Sequence, residues 1–112
     1  MMPELRMKDQ IPIERTGVKD DREKPMMGIV FRDFARALEA VGDVGTYGVR
    51  KYAAHGWETV PEADRRYMDA MIRHMLSHLQ GEDKDPESDL NHLAHMAWNA
   101  LCVLELQLRA KK

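Results

Sequence analysis

Apolar residues recur along this chain at the spacing of helix faces. Phe31, Phe34, Leu38 and Val41 fall at i, i+3, i+7 and i+10, which predicts a first helix beginning near Val30. Gly42, Gly45 and Gly48 follow. Small residues permit close packing, so the helix is expected to run on to Tyr52, with His55-Gly56-Trp57 ending it. A loop from Gly56 to Pro61 leads to a second helix, on which Met68, Met71, Ile72, Met75, Leu76 and Leu79 form a clean stripe and which Gly81 closes. Asp85 suits an N-cap and Pro86 the first helical position, so a third helix is expected from there. Leu90, Leu93, Ala94, Ala97, Leu101, Leu104 and Leu108 carry its apolar face, and Arg109, Lys111 and Lys112 complement its negative end. Residues 1–27 keep no such period: Pro3, Pro12, Pro25 and Gly17 interrupt them, and Ile11, Ile13 and Val18 are their few apolar handles. The pattern predicts an irregular N-terminal arm over 1–27 and one helical domain over 28–112. The expected fold class is all-α, a bundle of three to four helices.

Composition supports helices over strands. Aromatic residues are 6% of the 112, with nine methionines against two phenylalanines. So short a helical domain buries little of its surface, and self-association is the expected remedy. The formal net charge is −2, which gives no global reason to expect nucleic acid as a partner. One cysteine, Cys102, excludes an intramolecular disulfide framework and reads as a small core residue. No stretch approaches the roughly 18 apolar residues of a membrane span, so a soluble, cytoplasmic protein without a membrane partner is expected.

The chemistry concentrates between Arg73 and Asn99. Four of the five histidines lie there, His74, His78, His92 and His95, together with Glu82, Asp83, Asp85, Glu87 and Asp89. Such a density of imidazoles and carboxylates around one helix–turn–helix connection points to a divalent metal or to phosphate. Tyr67, Met71, His74 and His78 share one edge of the second helix, and Ser88, His92, His95 and Asn99 form a polar stripe on the third. Imidazoles at such borders also serve as ordinary half-buried packing groups. Glu82 has no local structural duty, whereas Asp85 doubles as a helix cap. Glu39 and Asp43, one turn apart, repel mildly unless water or a cation relieves them. Arg73 has the fork that suits phosphate. Lys51, Tyr52 and Trp57 at the exit of the first helix combine a cation with two rings, fit to hold phosphate and stack a base or simply to pack the loop. The chain has no GxxxxGK[ST], no GxSxG, no CxxC and no HExxH.

The order Lys24-Pro25, Glu39, Tyr47-Gly48-x-x-Lys51-Tyr52, Trp57, Arg73-His74, Gly81-Glu82-x-x-Asp85-x-Glu87-Ser88 and His92-Leu-Ala-His95 with Asn99 resembles the dATP/dGTP diphosphohydrolases of phages and bacteria. These are similar to the all-α nucleotide pyrophosphohydrolases of the MazG type. The resemblance covers about residues 20–106. It implies an oligomeric helical enzyme, a homodimer or homotetramer. With Mg²⁺ or Mn²⁺, it would split a purine deoxynucleoside triphosphate into monophosphate and pyrophosphate. In that frame Glu39, Glu82 and Asp85 hold the metal. Glu82, His92 and His95 do the catalytic work. Lys24, Lys51, Tyr52, Trp57, Arg73, His74 and Asn99 bind substrate. The sequence departs from the acidic MazG pattern: only Glu82-x-x-Asp85 keeps the ExxD form, and His74, His92 and His95 stand where carboxylates or neutral residues are expected. That departure sustains a second expectation, a non-catalytic phage accessory or inhibitor module that binds a nucleotide or a host protein, in the host cytoplasm. A His-Asp phosphohydrolase is excluded by the lack of any adjacent His-Asp pair.

Overall fold

A computed structural model of the protein describes residues 17–111. Its helices are α1 (Met27–Asp33), α2 (Ala35–Lys51), α3 (Ala63–Leu79) and α4 (His92–Ala110), with a 3-10 turn at Gly56–Thr59. There is no strand among the described residues, only one antiparallel bridge between Lys84 and Asn91. Pro3, Ile11, Pro12 and Ile13 of the expected arm lie outside the described residues, and Gly17–Met26 are exposed and carry no helix.

The expected first helix is divided. Phe34, at φ −116° and ψ 28°, separates α1 from α2, although its N–H still reaches the Val30 carbonyl at 3.2 Å. Nothing in the structure explains the break, which has neither proline nor glycine at its corner. Beyond it α2 runs unbroken through Gly42, Gly45 and Gly48. Val41, Val44 and Gly45 form its buried side. The close approach that small residues permit is realised at Gly45 alone: a Cβ there would stand 2.7 Å from a ring carbon of Trp98, whereas Gly42 and Gly48 face open space.

Helix α4 is the centre of the molecule, packing on α3, on α2 and on the 3-10 turn. Its inward side carries Ala94 and Cys102, with His92 and Asn99 as buried polar groups. Trp57 is held at the far end of α4. The Tyr67 hydroxyl donates to its carbonyl at 2.8 Å, the Arg109 guanidinium lies 5.2 Å over its ring, and Arg109 pairs with Glu58.

The third helix starts later than the Asp85-Pro86 signal predicts. The Asp85 carboxylate does accept the Ser88 N–H at 2.9 Å, but Asp89 then turns left-handed at φ 60°, and the turn cannot propagate. Asn91 caps the real helix by accepting the N–H groups of Leu93 and Ala94 at 2.7 and 3.2 Å. Asn91→Ala is expected to cost about 1 kcal/mol, read as a fall of about 4–8 °C in thermal midpoint.

The apolar side chains buried by these contacts are few: Val41, Val44, Ala94 and Cys102. Met68, Ile72, Met75 and Leu79 on α3 stay 39–70% exposed, at spacings of four, three and four residues. Leu101, Leu104 and Leu108 do the same on α4, and Phe31 and Phe34 stand out from α1 and its corner. No described helix is long and apolar enough to cross a membrane.

Candidate metal and nucleotide site

Helix α3 stops at Gly81, which adopts φ 95°; the Gly81 and Glu82 N–H groups bond back to the His78 and Ser77 carbonyls, both at 3.0 Å. This is a Schellman closure, and it sets Glu82 immediately after the turn that ends the helix. The loop then doubles on itself. Asp85 N–H bonds the Leu90 carbonyl at 2.8 Å and His92 N–H bonds the Asp83 carbonyl at 3.1 Å. The Ser88 hydroxyl accepts the Leu90 N–H at 3.2 Å and Asn91 reaches Asp83 at 3.2 Å. The result is a short, internally bonded loop that presses Asp85 toward the facing sides of α3 and α4.

Three histidines meet it there. His74 of α3 and His92 of α4 approach Nδ1 to Nδ1 at 2.8 Å, and His92 Nε2 meets Glu82 Oε1 at 2.8 Å. His92 is 2% exposed, the most deeply buried large side chain described. Glu82 accepts only, so Nε2 of His92 carries a proton. With neutral rings, the His92 Nδ1 is then a lone pair and His74 donates to it. His95 stacks on His74 with ring centroids 4.4 Å apart and planes within 8°, and its Nε2 meets the Ser88 hydroxyl at 2.7 Å. One donor atom each from His74, Asp85 and His92 lies within 4.8 Å of the others, and no other group of three such residues does so among the described residues.

The charge states suit a cation. Burial pushes His74 below its ordinary pKa, His95 adds to this, and Asp85 opposes it. Burial lowers His95 as well, again against Asp85. Burial alone would raise Asp85, but its bonds from Ser88 and the nearby imidazoles outweigh that and bring it below the usual carboxylate value. Neutral imidazoles therefore face an ionised carboxylate near pH 7, the forms that ligate metals. The sign for stability follows: the unfolded chain binds protons at His74 and His95 more readily than the folded one. Stability should be full above about pH 7 and should fall as pH drops through about 6.5, levelling once both states are protonated. Thermal midpoints from pH 8 to 5 will show this slope, and His74→Gln should flatten it.

Of the residues singled out in the sequence, the structure gathers His74, Glu82, Asp85, His92 and His95. Lys51 joins from the end of α2 through an ion pair with Glu87 of the loop, lying 5.1 Å over the ring of Tyr52 and 5.7 Å over that of Tyr47. Hydrogen bonding to Tyr52 raises the Lys51 pKa, burial acting the other way. Arg73 is exposed on α3 beside His74. Asn99 is buried on α4 about two turns from His92, its amide without a hydrogen-bond partner among the described residues. The others stand apart. Glu39 is exposed on α2, Lys24 is exposed ahead of α1, and Trp57 is tied to Tyr67, about 10 Å along α3 from His74. Glu87 and Tyr47 enter the neighbourhood without a periodic signal to single them out, and Ser88, read by its spacing as part of the stripe on the third helix, enters from the loop ahead of it.

A small all-α domain with a histidine–carboxylate cluster at one helix–loop–helix connection is thus the class of protein that fold and site define. The family described as "dATP/dGTP diphosphohydrolase, N-terminal" matches residues 14–112, and the chain belongs to that family. A protein named dATP/dGTP diphosphohydrolase from Salmonella phage PMBT28 is 33% identical over 91 residues, covering 81% of this chain and 30% of that protein. The chain spans under a third of that relative's length. No solved structure matches it.

Proposed function

We propose that this domain binds a purine deoxynucleoside triphosphate and, with a divalent metal, hydrolyses it to monophosphate and pyrophosphate. The observation that supports this most is the convergence of His74, Asp85 and His92, in a chain whose family carries the dATP/dGTP diphosphohydrolase name. The resemblance implies Mg²⁺ or Mn²⁺ for such an enzyme; a divalent ion held at this cluster would polarise the phosphates and activate water. Asp85 and His92 would hold it from the loop and α4, and His74 from α3. Glu82 orients His92. His95, its ring stacked on His74 and its Nε2 held by Ser88, braces that ligand. Lys51 and Arg73 neutralise the triphosphate, and Tyr52 or Tyr47 offers a face to the purine. Lys24 reaches substrate only by way of the segment ahead of α1, and Glu39 and Trp57 have no part in this reading.

A second reading, a nucleotide-binding module without turnover, draws support from one fact: the chain corresponds to 30% of its phage relative. Pyrophosphate release from the four NTPs and four dNTPs, with metal and with EDTA, separates the two. Metal-dependent release from dATP or dGTP supports the enzyme; silence from folded protein leaves the module.

The domain works, in this proposal, as a homo-oligomer. The exposed stripe Met68, Ile72, Met75 and Leu79 has the alternating four–three spacing of a helix-pairing seam, and Leu101, Leu104 and Leu108 repeat it on α4. Apolar stripes on both sides of a helix are stable only when both are covered. The double variant Ile72→Glu, Met75→Glu is expected to reduce the mass measured by light scattering to that of one chain. An unchanged oligomer, or a wild-type protein that is already a monomer, would sink the idea.

A further inference from the structure

The donors at this site are two imidazole nitrogens and one carboxylate oxygen. Mg²⁺ is a hard ion that takes oxygen ligands and keeps its waters, so this donor set fits it poorly. Imidazole suits manganese weakly and cobalt and zinc well, in the order of the first-row divalent ions.

We propose that His74, Asp85 and His92 form a two-histidine, one-carboxylate site for a first-row transition ion, with Zn²⁺ and Co²⁺ held well ahead of Mn²⁺ and Mg²⁺ unable to occupy it alone, and with Glu82 as the outer carboxylate that sets His92. The inference takes the metal cluster of the functional reading and names the ion class; it stands whether or not the domain turns over nucleotide.

The geometry prepares each donor. Glu82 fixes the proton of His92 on Nε2 and thereby presents Nδ1 as a lone pair toward His74. This carboxylate–histidine relay is the arrangement by which metal sites hold a ligating ring. His95 does not converge: its ring lies face to face on His74 and its Nε2 is taken by Ser88, so it braces the ligand beside it. Donors around one four-coordinate ion at about 2.1 Å lie about 3.4 Å apart. The widest pair, at most 4.8 Å apart, closes by up to about 1.4 Å, and the two Nδ1 atoms, 2.8 Å apart, open by about 0.6 Å. The ion replaces the proton between the two Nδ1 atoms, and His74 moves that proton to Nε2. Three protein ligands leave at least one position open, as in sites where a metal does chemistry. Glu82, expected from the sequence as a direct ligand, becomes the residue that orients one.

The test is calorimetric titration of tag-free, metal-stripped protein with ZnCl₂, CoCl₂, MnCl₂ and MgCl₂, with no nucleotide present. One Zn²⁺ per chain should bind at least about 100-fold more tightly than Mg²⁺, and Co²⁺ should develop visible ligand-field bands. Glu82→Gln should weaken Zn²⁺ by about 10–100-fold, and Asp85→Asn by at least as much. Both side chains lie at the surface edge of the cluster, and far-UV circular dichroism will report the fold. His55→Gln, altering an imidazole on an exposed turn paired with Glu58, should change nothing. Absence of Zn²⁺ binding by the wild-type chain overturns the proposal, as does Mg²⁺ binding of equal strength. So does wild-type affinity in both carboxylate variants, or a loss caused by His55→Gln. Failure of nucleotide hydrolysis leaves each of these results standing.

Discussion

For the proposed hydrolysis of dATP or dGTP, Asp85→Asn is expected to lower kcat/KM by about a thousandfold, equivalent to about 4 kcal/mol of transition-state stabilisation. The substitution is nearly isosteric. The asparagine oxygen can still accept the Ser88 N–H that Asp85 takes at 2.9 Å, so the turn of the loop survives. What disappears is the negative charge beside His74 and His95, which opposes the lowering of both imidazoles by burial. Without it a bound ion would lose its anionic ligand, and phosphate charge developing in the proposed reaction would lose the counter-ion that Asp85 would help to hold. Stability should fall slightly, because the Ser88 bonds and nearby imidazoles outweigh the desolvation of the carboxylate and hold its pKa below the usual value. Pyrophosphate release measured at saturating metal decides the matter. A variant that keeps more than a tenth of wild-type activity removes Asp85 from the catalytic machinery.

Gly45→Val should destabilise the protein by about 3 kcal/mol, lowering its thermal midpoint by more than about 10 °C. Even a bare Cβ at this position meets Trp98 at 2.7 and 3.1 Å, and the indole is a rigid plane pressed between α2 and α4, not the loose end of a long side chain. Valine adds two methyl groups to that collision. The neighbouring glycines give the opposite sign. Gly42→Ala and Gly48→Ala meet nothing within 4 Å, so each should gain about 0.5–1 kcal/mol from helix propensity alone. Three glycines that look alike in the sequence thus answer one kind of substitution in two directions. Equal midpoints for the three alanine variants would show that α2 does not lie against Trp98 as described.

The same contrast runs through the whole molecule. The chain's own pattern was enough to place α3, because Met68, Met71, Ile72, Met75, Leu76 and Leu79 repeat at helical period and Gly81 is free to take the left-handed turn that ends it. It was enough to carry α2 through its glycines, and to mark Arg73–Asn99 as the region rich in imidazoles and carboxylates, because period, propensity and side-chain chemistry are local properties written residue by residue. It led to the wrong start for α4, since Asp85 and Pro86 carry a valid local cap signal. That signal lost to the left-handed Asp89 and to the bridge between Lys84 and Asn91, a competition between alternative backbone paths that local preference cannot settle. It set Glu39 and Trp57 beside the site, although each helix face had a different neighbour available. Only the packing of α3 against α4 determined that His74 meets His92, that Glu82 backs His92 while Asp85 faces both, and that Trp57 ends at Arg109. A helical period states which residues share a face; which face meets which, and so which donors meet, depends on crossing and loop geometry that exists only once the chain has folded.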